Sequence, residues 1–211
     1  MPIARTDART GTASSLTLTS TNVNDLIIVF AYNGGSTTIP SLVSGYTSID
    51  TQSSVSNACR IAYKLSPGGE TSTGTWTNAT DMHAHVYSGH DINNPPSLAA
   101  ATLGNSAVLS FAGATVHSKN DWVAGFAGAI SSASGMNADT TGGTVLIHTT
   151  TSALRKQGFD TNAVAGGNTT ASTLTVTGTG RWITEVVIIK AILSAGSLIV
   201  TRQAGNRAAL F

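Results

Sequence analysis

Charge is what this chain has least of. Lys, Arg, Asp and Glu make up 10% of its 211 residues, against roughly a quarter in an ordinary soluble domain. Ser, Thr, Gly and Ala fill the space, and a surface clothed in hydroxyls and methyls is expected to spend its working life against copies of itself or other proteins. The net charge is +1. Arg5 and Arg9 lie near one end, Arg202 and Arg207 near the other. No clustered basic patch results, so no nucleic-acid partner is expected. Cysteine is nearly absent too: Cys59 stands alone, which excludes an internal disulfide framework and any multi-cysteine metal knuckle. Long hydrophobic runs are missing. The longest, Leu26 to Tyr32 and Val186 to Ile189, fall far short of the ~20 residues needed to span a bilayer, and no membrane partner is expected. The opening Met1-Pro2-Ile3-Ala4-Arg5-Thr6-Asp7 has no basic segment leading into an apolar one, so the expectation is an assembly built in the cytoplasm without a secretory signal. The sequons at Asn78 and Asn168 are then incidental.

Helical periodicity is scarce as well, and what replaces it is a succession of β-branched or alternating runs between turn residues. The pattern predicts strands over 15–20, 25–32, 46–51, 59–65, 74–77, 82–87, 107–112, 122–130, 144–149, 172–176, 182–193 and 198–202. Asn33-Gly34-Gly35, Pro67-Gly68-Gly69, Asn93-Asn94-Pro95-Pro96, Gly142-Gly143 and Gly166-Gly167-Asn168 supply the backbone freedom or the fixed φ that tight turns need. The fold class is therefore all-β: an antiparallel β-sandwich, jelly-roll-like, of about a dozen short strands with extended terminal arms. One domain over residues 13–202 is expected, with an N-terminal arm at 1–12 and a C-terminal arm at 203–211. Residues 26–30 and 186–189 are apolar at every position, as strands covered on both faces are. Either other elements of the chain lie over them or a neighbouring subunit does, and the scarcity of charge favours the neighbour.

Motifs for chemistry are few. Gly-x-Ser-x-Gly, a Walker loop and His-Glu-x-x-His are all missing, and Gly178-Thr179-Gly180-Arg181-Trp182-Ile183 lacks the third glycine of a dinucleotide fingerprint. The acids Asp7, Asp25, Asp50, Glu70, Asp81, Asp91, Asp121, Asp139, Asp160 and Glu185 are spread singly, with no sequence-adjacent pair for glycoside hydrolysis. No catalytic residue and no cofactor is expected. The most site-like stretch runs from Asp81 to Asp91. On a strand, His83, His85 and Tyr87 share one face while Met82, Ala84 and Val86 share the other. Two imidazoles so placed suit a ligand or metal face, with His90, Asp91, His117 or His148 as a further ligand. The plainer reading is a polar outer face, and no bound metal is expected. Trp76, Trp122 and Trp182 either stack on sugars or, more ordinarily, plug the core.

Between Asn24 and Pro95 stand Asn24-Asp25-Leu26-Ile27-Ile28-Val29, Pro40, Gly45-Tyr46-Thr47, Ala62-Tyr63-Lys64, Thr75-Trp76-Thr77, Tyr87-Ser88-Gly89-His90-Asp91 and Asn94-Pro95, with Asp121-Trp122-Val123-Ala124-Gly125-Phe126 later. This set resembles a β-sandwich module of tailed-phage virion proteins, found in head decoration and tail proteins. His83, His85 and His90 depart from the related pattern, which carries a small apolar residue where His90 stands. The resemblance implies jelly-roll-like sandwiches displayed on phage heads or tails, often as oligomers and without a cofactor. The expected function is non-enzymatic: an external head decoration or cement protein of the virion, a homo-oligomer with a trimer favoured. Its partners would be the major capsid protein or other virion proteins. The arms would carry the interface through Ile3, Arg5, Arg9, Arg202, Arg207, Leu210 and Phe211. The alternative is a tail-associated receptor- or carbohydrate-binding module that stacks sugars on Trp76 or Tyr87.

Overall fold

The computed structural model describes residues 2–106, 108–116, 118, 120–130, 137–138, 156–162, 172–175 and 180–192. All regular structure among them is β. The strands are β1 (Ala4–Gly11), β2 (Val23–Gly34), β3 (Thr47–Ser54), β4 (Asn57–Pro67), β5 (Asp81–Ser88), β6 (Ser97–Asn105), β7 (Val108–Phe111), β8 (Trp122–Ala129), β9 (Asn137–Ala138), β10 (Lys156–Asn162), β11 (Ser172–Thr175) and β12 (Arg181–Ile189). Every pairing is antiparallel. A five-stranded sheet runs β1-β5-β2-β4-β3, a four-stranded sheet runs β10-β8-β12-β6, and a small third sheet runs β7-β11-β9.

Strand β2 shows why the layers stack. Its alternate residues Leu26, Ile28, Phe30 and Tyr32 join Cys59, Ile61 and Tyr87 of the same sheet in one cluster with Ala124, Phe126, Ile183, Val187 and Ile189 of the four-stranded sheet. These two sheets therefore share an apolar interior, the packing on which a β-sandwich rests. Phe30 and Phe126 stack across it, ring centroids 6.0 Å apart. Gly128 on β8 leaves the space that the Tyr32 ring fills, since a Cβ there would collide with that ring. The in-between residues Ile27, Val29 and Ala31 point the other way, into a second cluster with Leu16, Leu18, Tyr46, Trp76, Met82, Ala84 and Val86. On the far side of the four-stranded sheet, Val123, Ala127, Val186 and Ile188 pack against Leu109, Phe111, Ala114 and Val116.

Both continuous apolar runs are thus covered on both faces, but by this chain itself. The favoured cover, a neighbouring subunit, is corrected for these strands: the segments around Leu16, Leu18 and Trp76 close one outer face, and β7 with its following loop closes the other. The covering segments hold their positions by backbone bonds such as Leu18 N–H to Thr71 O at 2.9 Å and Trp76 N–H to Ser14 O at 2.7 Å. They are not strands, although 15–20 and 74–77 read as such. A single bridge, Thr17 to Ser72, is all the ladder they make.

The N-terminal arm is also corrected. Residues Ala4–Gly11 form the edge strand of the five-stranded sheet, in register with β5 from Ala4 opposite Ser88 to Gly11 opposite Met82. Ile3 is buried in the intersheet cluster, so it serves this chain's own core and not a contact with another subunit. Arg9 donates to Asp7 and to Thr19 Oγ1 at 2.8 Å. A half-exposed edge strand accommodates such charges, which explains why its sequence did not read as a strand. The C-terminal arm, with Arg202, Arg207, Leu210 and Phe211, lies outside the described residues, as do the predicted strands 144–149 and 198–202.

Candidate functional site

The histidine face is the first place to look, and it is inside. Strand β5 lies between β1 and β2, with His83 opposite Phe30 and His85 opposite Ile28. His83, His85 and Tyr87 are each 0% exposed. The polar outer face is corrected: both faces of β5 are covered, because the four-stranded sheet lies over the histidines while Leu16, Leu18 and Trp76 share a cluster with Met82, Ala84 and Val86. His85 sits 4.8 Å from the Phe126 ring and His83 6.3 Å, both measured between centroids. His85 Nδ1 and the Tyr87 hydroxyl share a hydrogen bond of 2.9 Å. Burial, aided by the Arg5 charge, pushes the imidazole of His85 down to about 3, so it is neutral at physiological pH.

His90 follows the strand beyond Gly89 and forms an isolated bridge with Ala191. Burial lowers its pKa against the opposing pull of Asp25 and Asp91. Asp91 turns back on its own loop, accepting from Asn93 N–H at 3.0 Å and Asn94 Nδ2 at 2.7 Å. Among the described residues no group of three His, Cys, Asp or Glu is placed to hold a metal ion. His117 and His148 lie outside them.

The aromatic platform fails for a related reason. Trp76 is 0% exposed, packs edge-on against Tyr46 at 5.0 Å and donates its indole N–H to Thr73 O at 3.1 Å. Tyr87 is equally buried and meets Trp122 edge-on at 6.1 Å. Trp182 is buried in the outer cluster. Neither Trp76 nor Tyr87 offers a ring face to a sugar.

The structure instead brings Glu185 to the β3–β4 hairpin, far from it in sequence. Cys59 on β4 and Glu185 on β12 meet between the two large sheets. The Cys59 thiol donates to Glu185 Oε1 at 3.5 Å. Asp50 is part-buried on its edge strand and accepts from Gln52 Nε2 at 2.6 Å. Glu185 is 0% exposed, and its Oε2 has no donor partner among the described residues. Burial, with the Asp50 charge adding to it, raises the Glu185 carboxyl to about 8. Burial and Glu185 together raise the Cys59 thiol well above its usual value, so it is held as the inert S–H form.

A glycosidase pair needs roughly 5 to 9.5 Å between its carboxyls and room for a sugar. Glu185 and Cys59 are both 0% exposed, which leaves no room for a sugar beside them. Burial favours the protonated form of Glu185. Its sequence signal was slight: Glu185 is the lone ionisable residue in Trp182-Ile183-Thr184-Glu185-Val186-Val187, on the inward parity of Ile183 and Val187.

The site and fold define an all-β antiparallel protein with one fully buried carboxyl, that of Glu185, bonded to the buried thiol of Cys59. No family model, no curated protein and no solved structure matches the chain.

Proposed function

We propose that the chain is a non-enzymatic structural protein of a phage virion, an external head decoration or cement protein that stabilises the capsid lattice as a homo-oligomer. The observation that carries the reading is strand β6. It is an edge of the four-stranded sheet, its nine residues hold no charge, and it exposes Leu98 and Leu103 at 38% and 40%. Natural edge strands usually carry charge, proline or a cover that blocks further pairing. An uncharged edge with exposed leucines suits lateral packing against another subunit. The resemblance to virion sandwiches and the charge-poor surface support the same reading. Spreading contacts over several capsid subunits would then make internal pressure break many interfaces together.

The tail-associated carbohydrate-binding alternative has lost the Trp76 and Tyr87 platform on which it depended. The test is light scattering of the purified chain, followed by occupancy on capsids imaged with wild type and with a Leu98→Lys, Leu103→Lys variant. An oligomer that decorates particles, weakened at least tenfold by the variant, is the expected outcome. A monomer that binds no capsid overturns the proposal.

A further inference from the structure

We infer that β6 pairs with β6 of a second copy of this chain, an assignment that rests on the homo-oligomer reading above and gives it a surface. Two copies meet about a twofold axis with these strands antiparallel, which joins their four-stranded sheets into one of eight. A comparison of edges points there first. The two large sheets end in the edge strands β1, β3, β10 and β6. Strand β1 carries Arg5, Asp7 and Arg9, β3 carries Asp50, and β10 carries Lys156 and Asp160. Ser97-Leu98-Ala99-Ala100-Ala101-Thr102-Leu103-Gly104-Asn105 of β6 carries none. Charge is a usual means of keeping an edge strand from pairing with its own copies, and β6 is the one edge of the four without it.

Parity puts the two exposed leucines on the side that lacks a cover. Leu98 stands opposite Val187 and Leu103 opposite Ile183, and residues directly opposite in an antiparallel pair project from the same face of the sheet. Val187 and Ile183 are buried in the cluster between the two large sheets, so Leu98 and Leu103 point towards that same interior. Both stay partly exposed all the same, because no further strand among the described residues follows β6. β6 packs over β3, the edge of the other sheet, and the apolar layer opens sideways along this flank. The register with β12 slips between Leu98 and Ala100 and then runs unbroken to Asn105. That unbroken stretch offers roughly 20 Å of regular edge backbone.

Charge selects the same flank of another copy as the occupant. A twofold axis sets a strand against itself run backwards, so any charge on the edge is brought towards its own kind. β6 has none to bring. The backbone N–H and C=O groups on its open side match the spacing of another strand, and leucines from the second copy continue the apolar layer that this flank leaves open. β3 does not pair in the same way, since it carries Asp50 and its register slips between Ser48 and Asp50. The joint therefore runs through β6 alone, and it closes at two copies.

The experiment measures the mass of the purified full chain by light scattering over a range of concentrations, with no capsid present. The expected species is a dimer. Leu103→Lys and Leu103→Glu are each expected to weaken dimerisation at least tenfold, because a like charge from each copy then lies in the seam, whereas an equimolar mixture of the two variants dimerises again. A monomer at every concentration overturns the joint and hands the edge to residues 193–211 of the same chain or to a different virion protein. A trimer overturns it too, since three copies cannot all pair β6 with β6. So do charged variants that each dimerise as tightly as the wild type. Should the variants not fold, the wild-type mass decides by itself. Capsid occupancy is a separate readout: a dimer that decorates no capsid overturns the virion reading and leaves the joint standing.

Discussion

The Tyr87 hydroxyl and His85 Nδ1 form a buried hydrogen bond of 2.9 Å in a region of aromatic rings, and His85 Nε2 beyond it has no partner among the described residues. Such a pair resists removal of one member more than removal of both. Tyr87→Phe strands a buried nitrogen and is expected to cost roughly 1–3 kcal/mol, the penalty for an unsatisfied buried polar group. Adding His85→Leu removes the stranded atoms and returns apolar contact with Phe126. The double variant is therefore expected to be more stable than Tyr87→Phe alone, as read by urea unfolding at pH 7. A double variant less stable than the single would mean that the imidazole contributes through packing geometry and not through its hydrogen bond.

At the scale of elements, β1 differs from the strands it joins. Its polar sequence Ala4-Arg5-Thr6-Asp7-Ala8-Arg9-Thr10-Gly11 is half-exposed, it pairs on one side only, and its register slips between Arg5 and Asp7. Few buried apolar contacts anchor it beyond Ile3. Amide exchange is expected to be faster in β1 than in β2 by at least a hundredfold, the mark of a separately opening unit. Equal protection in the two strands would show that β1 belongs to the cooperative core. The same contrast explains what could be read from sequence. Strands β2, β4, β5, β8 and β12 were legible because β-branched and aromatic residues crowd them. β1 was not, because pairing to β5 supplies its order while its composition suits solvent. β6, with Ser97-Leu98-Ala99-Ala100-Ala101-Thr102-Leu103, and β10 gave no β-branched run to detect. Leu16 and Leu18 alternate as a strand does, yet they serve as a lid on β2 and β5. At the site, alternation placed His83, His85 and Tyr87 on one face, as found, but periodicity cannot say which layer covers a face. Cys59 and Glu185 meet only through the stacking of two sheets, which no local pattern encodes.

Across the whole molecule, two buried groups with opposite proton preferences shape stability. His85 is held near 3, against an ordinary 6.5, so the unfolded chain binds its proton more readily and stability is lost as pH falls below about 6.5. Glu185 is held near 8, against an ordinary 4.5, so the folded chain keeps its proton longer and stability is lost as pH rises above about 4.5. Each contributes a slope of about 1.4 kcal/mol per pH unit inside its window. Between about pH 4.5 and 6.5 the two slopes cancel. A plateau is therefore expected there, with stability declining on the acid side through His85 and on the alkaline side, up to about pH 8, through Glu185. The lowered pKa of His90 steepens the acid side in the same sense. Urea unfolding measured from pH 4 to pH 9 tests the shape, and Glu185→Gln should remove the alkaline decline while leaving the acid one intact. An optimum near pH 8 in the wild-type chain would contradict the buried, protonated Glu185, because ionisation of a group already charged in both states cannot weaken the fold as pH rises.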